Sequence, residues 1–180
     1  MMSRYSVRAL RSDDFSTVMA MEDELFEICR EGVLGPYYVR LCCDFFADCC
    51  FMLEDEGRPV GYLLSFVRGR EAYCTTLALR PGCQGTRAII YLLRAFITRI
   101  IDDCDVCWFT VDEDSPAVRA LHAMLGAEER ELRPDFYGPG NARIVSRIDR
   151  EGFERARPRL ERLGVVPRRE GAQGVAEVLQ

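Results

Sequence analysis

The spacing of hydrophobic positions changes several times along the chain, and each change marks an element. Residues 5–10 read as a short strand, and Ser12, Asp13 and Asp14 then offer a helix start over 14–30. Gly32, Gly35 and Pro36 break that helix. Tyr38, Leu41, Cys42, Phe45 and Phe46 return to helical spacing, which predicts a second helix over 37–48. Residues 49–53 and 60–67 read as strands around the turn at Glu54-Asp55-Glu56-Gly57-Arg58. A turn at Arg68-Gly69-Arg70 leads into another strand over 72–79.

The stretch RPGCQGTRAI (80–89) follows, and then the most regular apolar stripe in the chain. Ile89, Leu92, Leu93, Phe96 and Ile100 share one face of a helix predicted over 86–102. Residues 106–111 read as a strand. Ser115 offers an N-cap, Pro116 a helix start and Gly126 its end. Strands over 128–132 and 142–148 flank the loop PDFYGPGN, a last helix covers 151–163, and a polar, Gly-containing tail closes the chain. A strand meander followed by a strand–loop–helix–strand unit implies a mixed α/β sheet with helices on both faces. At 180 residues the chain fits one main domain over 1–150, with 151–180 part of it or appended to it.

Composition narrows the function. A net charge of −5 argues against nucleic acid as the main partner and favours cationic or amine substrates. All 24 basic residues are arginines, which reads as coding bias rather than function. No apolar run reaches the length of a membrane span, and the first residues carry no apolar signal segment, so a cytoplasmic protein is expected. The nine cysteines are an odd number, and the expectation is reduced thiols. Cys104-Asp-Val-Cys107 has metal-ligand spacing, but there is no second pair, and Cys107 falls in a strand where a thiol packs as a small apolar group. No metal is expected.

Three segments carry a resemblance to a known family. LALRPGCQGTRAIIYLLRAF (77–96) has an apolar strand, a proline, then Gln84 at the Gln/Arg position of a coenzyme loop before an apolar helix. DSPAVRALHAMLGA (114–127) matches a helix segment with Ser115 for Asn, His122 for Tyr and Ala127 for Phe. PDFYGPGNARIVSRID (134–149) matches a closing hairpin. Together, over about residues 5–149, they resemble the GCN5-related N-acetyltransferase (GNAT) superfamily. Residues 37–66 are also similar in pattern to diaminobutyrate acetyltransferases, a pointer to small amine acceptors.

The resemblance implies acetyl-CoA as co-substrate and direct acyl transfer to a primary amine of a small molecule or peptide. It implies pantetheine contacts from Leu77, Ala78 and Leu79, and phosphate contacts around Gln84, Gly85, Thr86, Arg87, Ala88 and Ile89, with Ser115 nearby. A helix N-terminus suits the pyrophosphate because its amides are unpaired and the helix dipole is positive there. Arg87 and Ile89 depart from the family's small residues, so the loop is either modified, with Arg87 as a phosphate ligand, or idle. His122 stands where the family's acid stands, or else packs in the core. Tyr73 fits the register of the family's base better than Glu71, which reads as a solvated turn residue. Tyr137 either faces the acceptor or packs on the surface. Glu22, Glu24, Glu27 and Glu31 form a solvated acidic face or hold a cationic substrate. The readings that compete are a longer acyl donor and a non-catalytic module of the same fold, as monomer or homodimer.

Overall fold

The computed structural model of the chain describes residues 4–26, 33–84 and 87–169. Its first half runs β1 (Tyr5–Ala9), α1 (Phe15–Phe26), α2 (Pro36–Asp44), β2 (Phe51–Asp55), β3 (Arg58–Arg68) and β4 (Glu71–Leu79). Its second half runs α3 (Ala88–Ile100), β5 (Val106–Val111), α4 (Pro116–Leu125), β6 (Glu128–Arg133), β7 (Arg143–Asp149) and α5 (Arg150–Leu163). The strands form one 7-stranded sheet in the order β1-β2-β3-β4-β5-β7-β6. Every neighbouring pair is antiparallel except β4 with β5, the pair that α3 connects. A parallel pair needs such a crossover, whereas the others close by turns or by strand order.

Each face of the sheet has its own core. Val18, Met21, Val39, Cys42 and Cys43 of α1 and α2 pack on Met52, Tyr62, Leu64 and Ala78. Leu92, Leu93 and Phe96 of α3, Leu125 of α4, and Ala156 and Leu160 of α5 pack on Leu53, Leu63, Ala72, Leu79 and Phe109. The alternation of Tyr62, Leu63 and Leu64 between the two cores follows from the two-residue period of a strand. The mixed sheet with helices on both faces matches the expectation from the sequence.

Element ends moved where local contacts won. Residues 12–14 form a 3₁₀ turn before α1, because the buried Asp14 carboxylate accepts from the Arg11 amide (2.8 Å) and pairs with Arg8 (2.7 Å). The last residues expected in that helix lie outside the described residues. The second helix stops at Asp44, and Ala47–Cys49 make another 3₁₀ turn, so Cys49 and Cys50 precede β2 rather than start it. Both thiols reach across to the Ser65 carbonyl, at 3.3 and 3.1 Å, which ties the turn to β3. The third helix starts at Ala88 rather than at residue 86, after a 3₁₀ turn over Pro81–Cys83. Gly126 ends α4 in the left-handed region (φ +95°), and a Cβ there would lie 2.7 Å from the Gly152 carbonyl of α5. Only glycine meets both demands. Among the described residues no helix is long and apolar enough to cross a membrane.

Candidate active site

The parallel pairing of β4 with β5 lasts only from Glu71↔Val106 to Cys74↔Phe109. Beyond it, Thr76–Leu79 of β4 stay paired only to β3, and the β5 side opens into a gap. On the β3 side the register skips Thr75, since Ser65 pairs with Cys74 and Leu64 with Thr76. This is a β-bulge, which bends a strand and leaves the extra residue out of the ladder. Bulge and gap thus coincide, and the free edge of β4 carries Leu77, Ala78 and Leu79. Ala78 points into the α1/α2 core, while Leu77 and Leu79 point into the α3 core. Their side chains are committed, and what remains for a ligand is backbone.

On the face away from α3, Tyr73 and Trp108 lie one pair below the gap. Tyr73 stacks on Phe66 with ring centroids 4.9 Å apart. Its hydroxyl donates to Glu71 Oε2 at 2.7 Å, and Trp108 Nε1 donates to the same oxygen at 3.0 Å. The second carboxylate oxygen makes no hydrogen bond to a described residue. These two donors hold the Glu71 carboxyl below its ordinary pKa, and the same carboxylate pushes the Tyr73 phenol up. Glu71 is therefore not a bare turn residue. It fixes the tyrosine that the family resemblance pointed to, a link missed because residues i and i+2 of a strand meet only through their side-chain reach.

On the α3 face, the His122 ring of α4 packs on Phe109, with centroids 4.7 Å apart. Phe109 is the last β5 residue paired with β4. His122 is 8% exposed, and its Nδ1 is buried without a hydrogen-bond partner. Burial lowers its pKa to about 4, with Glu129 pulling weakly the other way. The imidazole is held in its neutral form. It can offer a neutral N–H but not an imidazolium. Cys74, at the mouth of the gap, has its thiol pushed up to about 12 by burial. It is held as the weakly nucleophilic thiol.

At the loop after β4, Gln84 Nε2 donates to the Leu79 carbonyl at 3.1 Å, closing the strand end. Gly85 and Thr86 lie outside the described residues. Arg87 is exposed at the N-terminal boundary of α3, and its side chain makes no hydrogen bond or ion pair to a described residue. Ala88 is fully buried, and Ile89 packs against the α3 core. The bulk of Ile89 is thus absorbed inward, so of the two departures from small residues only Arg87 points outward. Ser115 precedes α4 without a side-chain cap.

Tyr137 is 58% exposed in the β6–β7 loop, against Phe136 and under the Arg143 guanidinium. Arg143 also reaches Asp112, just after β5, at 3.3 Å. Of the acidic residues of α1, Glu22 is 1% exposed and not solvated: it accepts the Leu34 amide at 2.9 Å and the Tyr62 hydroxyl. Glu24 pairs with Arg80 at 2.9 Å. Glu27 and Glu31 lie outside the described residues. The eight described cysteines are free, and no described group of His, Cys, Asp and Glu is arranged to hold a metal.

A family model, the acetyltransferase (GNAT) family, matches residues 17–127, from α1 to the end of α4. The chain belongs to the GNAT family. This GNAT chain is similar to the uncharacterized N-acetyltransferase MJ1530 of Methanocaldococcus jannaschii, 26% identical over 129 residues, or 68% of this chain and 82% of that one. Its fold is shared with Arabidopsis thaliana Naa50 in complex with the bisubstrate analogue CoA-Ac-MVNAL, at a TM-score of 0.71 and 13% identity, covering 82% of this chain and 99% of that one. It is shared as well with diaminobutyrate acetyltransferase EctA from Paenibacillus lautus in complex with L-2,4-diaminobutyric acid and coenzyme A, at a TM-score of 0.71 and 17% identity over 82% and 96% of the two chains. The GNAT chain is an acyltransferase by family. Its β6, β7 and α5 lie beyond the family match and join the site through the sheet.

Proposed function

We propose that the protein transfers an acetyl group from acetyl-CoA directly to a primary amine of a small molecule or peptide. The observation that carries this is the gap that opens in the sheet where β4 leaves β5 after Cys74 and Phe109, beside the start of α3. A pantetheine arm has amides that can pair with the free backbone edge of Leu77–Leu79. Its pyrophosphate meets the first amides of α3 and the Arg87 guanidinium, which is otherwise a cation opposing the helix dipole by about 0.3–1 kcal/mol.

The amine enters from the Tyr73 face. Its ammonium is held by the ionised Glu71 and the aromatic walls of Trp108 and Tyr73. Deprotonation runs through the pair: Tyr73 Oη takes the amine proton while its own proton passes to Glu71. The free amine attacks the thioester carbonyl, the C–S bond breaks, the leaving thiolate takes a hydrogen bond from the neutral His122 N–H and a proton from water, and Glu71 returns its proton to solvent. With the Cys74 thiol held protonated, the route is direct transfer with both substrates bound together.

Calorimetry with acetyl-CoA tests the reading, paired with Arg87→Glu. The parent should bind, and the variant should lose at least about tenfold in affinity, the equivalent of about 1.4 kcal/mol, while keeping or slightly gaining stability when free. No binding by the parent at millimolar acetyl-CoA would remove the reading. Equal binding by both proteins would remove Arg87 from it.

A further inference from the structure

Thr75 is where the two irregularities of the sheet meet. Towards β3 it is the extra residue of the bulge, and towards β5 the pairing has ended one residue earlier. No ladder partner therefore fixes its orientation from either side. Two side-chain hydrogen bonds do so instead. Thr75 Oγ1 bonds the Leu64 carbonyl at 3.0 Å across the bulge, and it bonds the Tyr38 hydroxyl of α2.

The direction of these bonds follows from counting protons. A threonine hydroxyl has one, and the Leu64 carbonyl can only accept it. Thr75 Oγ1 must then accept from the Tyr38 phenol. Tyr38 is half-buried, and desolvation pushes its pKa well above the ordinary value, so the phenol keeps the proton it donates. The helix behind it is firmly seated, with Val39, Cys42 and Cys43 all buried under 3% exposed. A hydrogen-bonded chain thus runs from α2 through Thr75 to β3.

We propose that Tyr38 is a positioning residue for acyl transfer: its hydrogen bond to Thr75 fixes the bulge, and with it the width and edge of the gap that receives the thioester. This rests on the reading that a thioester is delivered to that gap. Tyr38 acts through Thr75 and needs no contact with the acetyl group itself. Without the phenol hydroxyl, Thr75 keeps only the bond to Leu64 and can swing with the unpaired end of β4.

Two measurements on Tyr38→Phe, Thr75→Val and the double variant test this. The first is hydrogen exchange of the β4 peptide in ligand-free protein. The second is the ratio of CoA to acetyl-CoA dissociation constants by calorimetry, which reads the thioester's contact with the gap. The parent should prefer acetyl-CoA by at least about threefold, the scale of one net hydrogen bond. In Tyr38→Phe, residues 75–79 should exchange at least about tenfold faster while β1 and β2 exchange as in the parent, and the preference should fall towards one. The double variant should be no worse than Thr75→Val, since both changes cut the same chain. Thr75→Ser, which keeps the hydroxyl, should restore the parent's ratio. Unchanged exchange in Tyr38→Phe overturns the proposal, as does faster exchange with the preference intact, strictly additive effects, or a parent with no preference. A parent that binds neither coenzyme sinks the acyl-transfer reading and the positioning role together, whatever the exchange rates.

Discussion

His122 gives the sharpest quantitative test, because it is the chain's one histidine and its burial has a pH signature. Its pKa is lowered to about 4 in the folded protein from the ordinary imidazole value of 6.5. The unfolded chain therefore binds a proton near pH 6.5 that the folded chain refuses until about pH 4. A pKa depressed on folding contributes stability that is complete above the unfolded value and is lost as pH falls towards the folded one. At about 1.36 kcal/mol per pKa step the whole effect is about 3 kcal/mol, reached only below pH 4. The chain's pI is about 5.1, so pH 5.5 is a safer lower limit for solubility. Between pH 7.5 and 5.5 linkage gives a loss of about 1.3 kcal/mol from this group alone. Groups that titrate independently of His122 cancel in a comparison with His122→Phe, whose ring can take the same place on Phe109 without a proton to gain. Urea unfolding of both proteins at the two pH values should show the parent losing about 1.3 kcal/mol more than the variant. Parallel losses would mean that the imidazole is solvated or paired, and its assignment as a buried neutral group would be wrong. The same variant reads the catalytic role: turnover should fall about 10²-fold if His122 serves the leaving thiolate, and should stay at the parent's level if it only packs.

With an amine that the parent acetylates, Glu71→Gln should cut kcat about 10²-fold or more while leaving acetyl-CoA affinity as it was, and a kcat within threefold of the parent would place the base elsewhere. Tyr73→Phe should show a comparable loss, and the double variant should be no worse than either alone if the two act as one relay. Gly61→Ala should destabilise by about 1–3 kcal/mol in urea unfolding, because a Cβ there would sit 2.8 Å from the Ala78 carbonyl and 2.5 Å from Leu79 Cδ2. An unchanged midpoint would mean that β3 and β4 have slack. Native iodoacetamide labelling at pH 7.5, mapped by mass spectrometry, should spare half-buried Cys74 and buried Cys107, whose desolvated thiols resist ionisation. Rapid labelling of Cys74 would reopen a covalent route.

The order of elements was readable from the sequence because period and punctuation are local. The stripe from Ile89 to Ile100 needs no partner to announce a helix, and Pro116 and Gly126 mark the ends of another. The strand–loop–helix passage around Gln84 and the histidine on α4 were readable for the same reason, as motifs within one stretch of chain. The resemblance to the family also named Tyr73, by its register on the strand. What the sequence did not carry was the partner of each group. Glu22 sits among acidic neighbours, and only the approach of Tyr62 from β3 makes it a buried acceptor. Tyr38 reads as one apolar position of a helix until β4 brings Thr75 to its hydroxyl. The length of the β4–β5 pairing, the β3–β4 bulge beside its end and the pKa of His122 depend on registers and burial between segments distant in sequence. Hydrogen-bond register and desolvation are properties of pairs and surroundings. A linear pattern encodes them only through the fold, so tertiary structure decided where the gap opens and which groups face it.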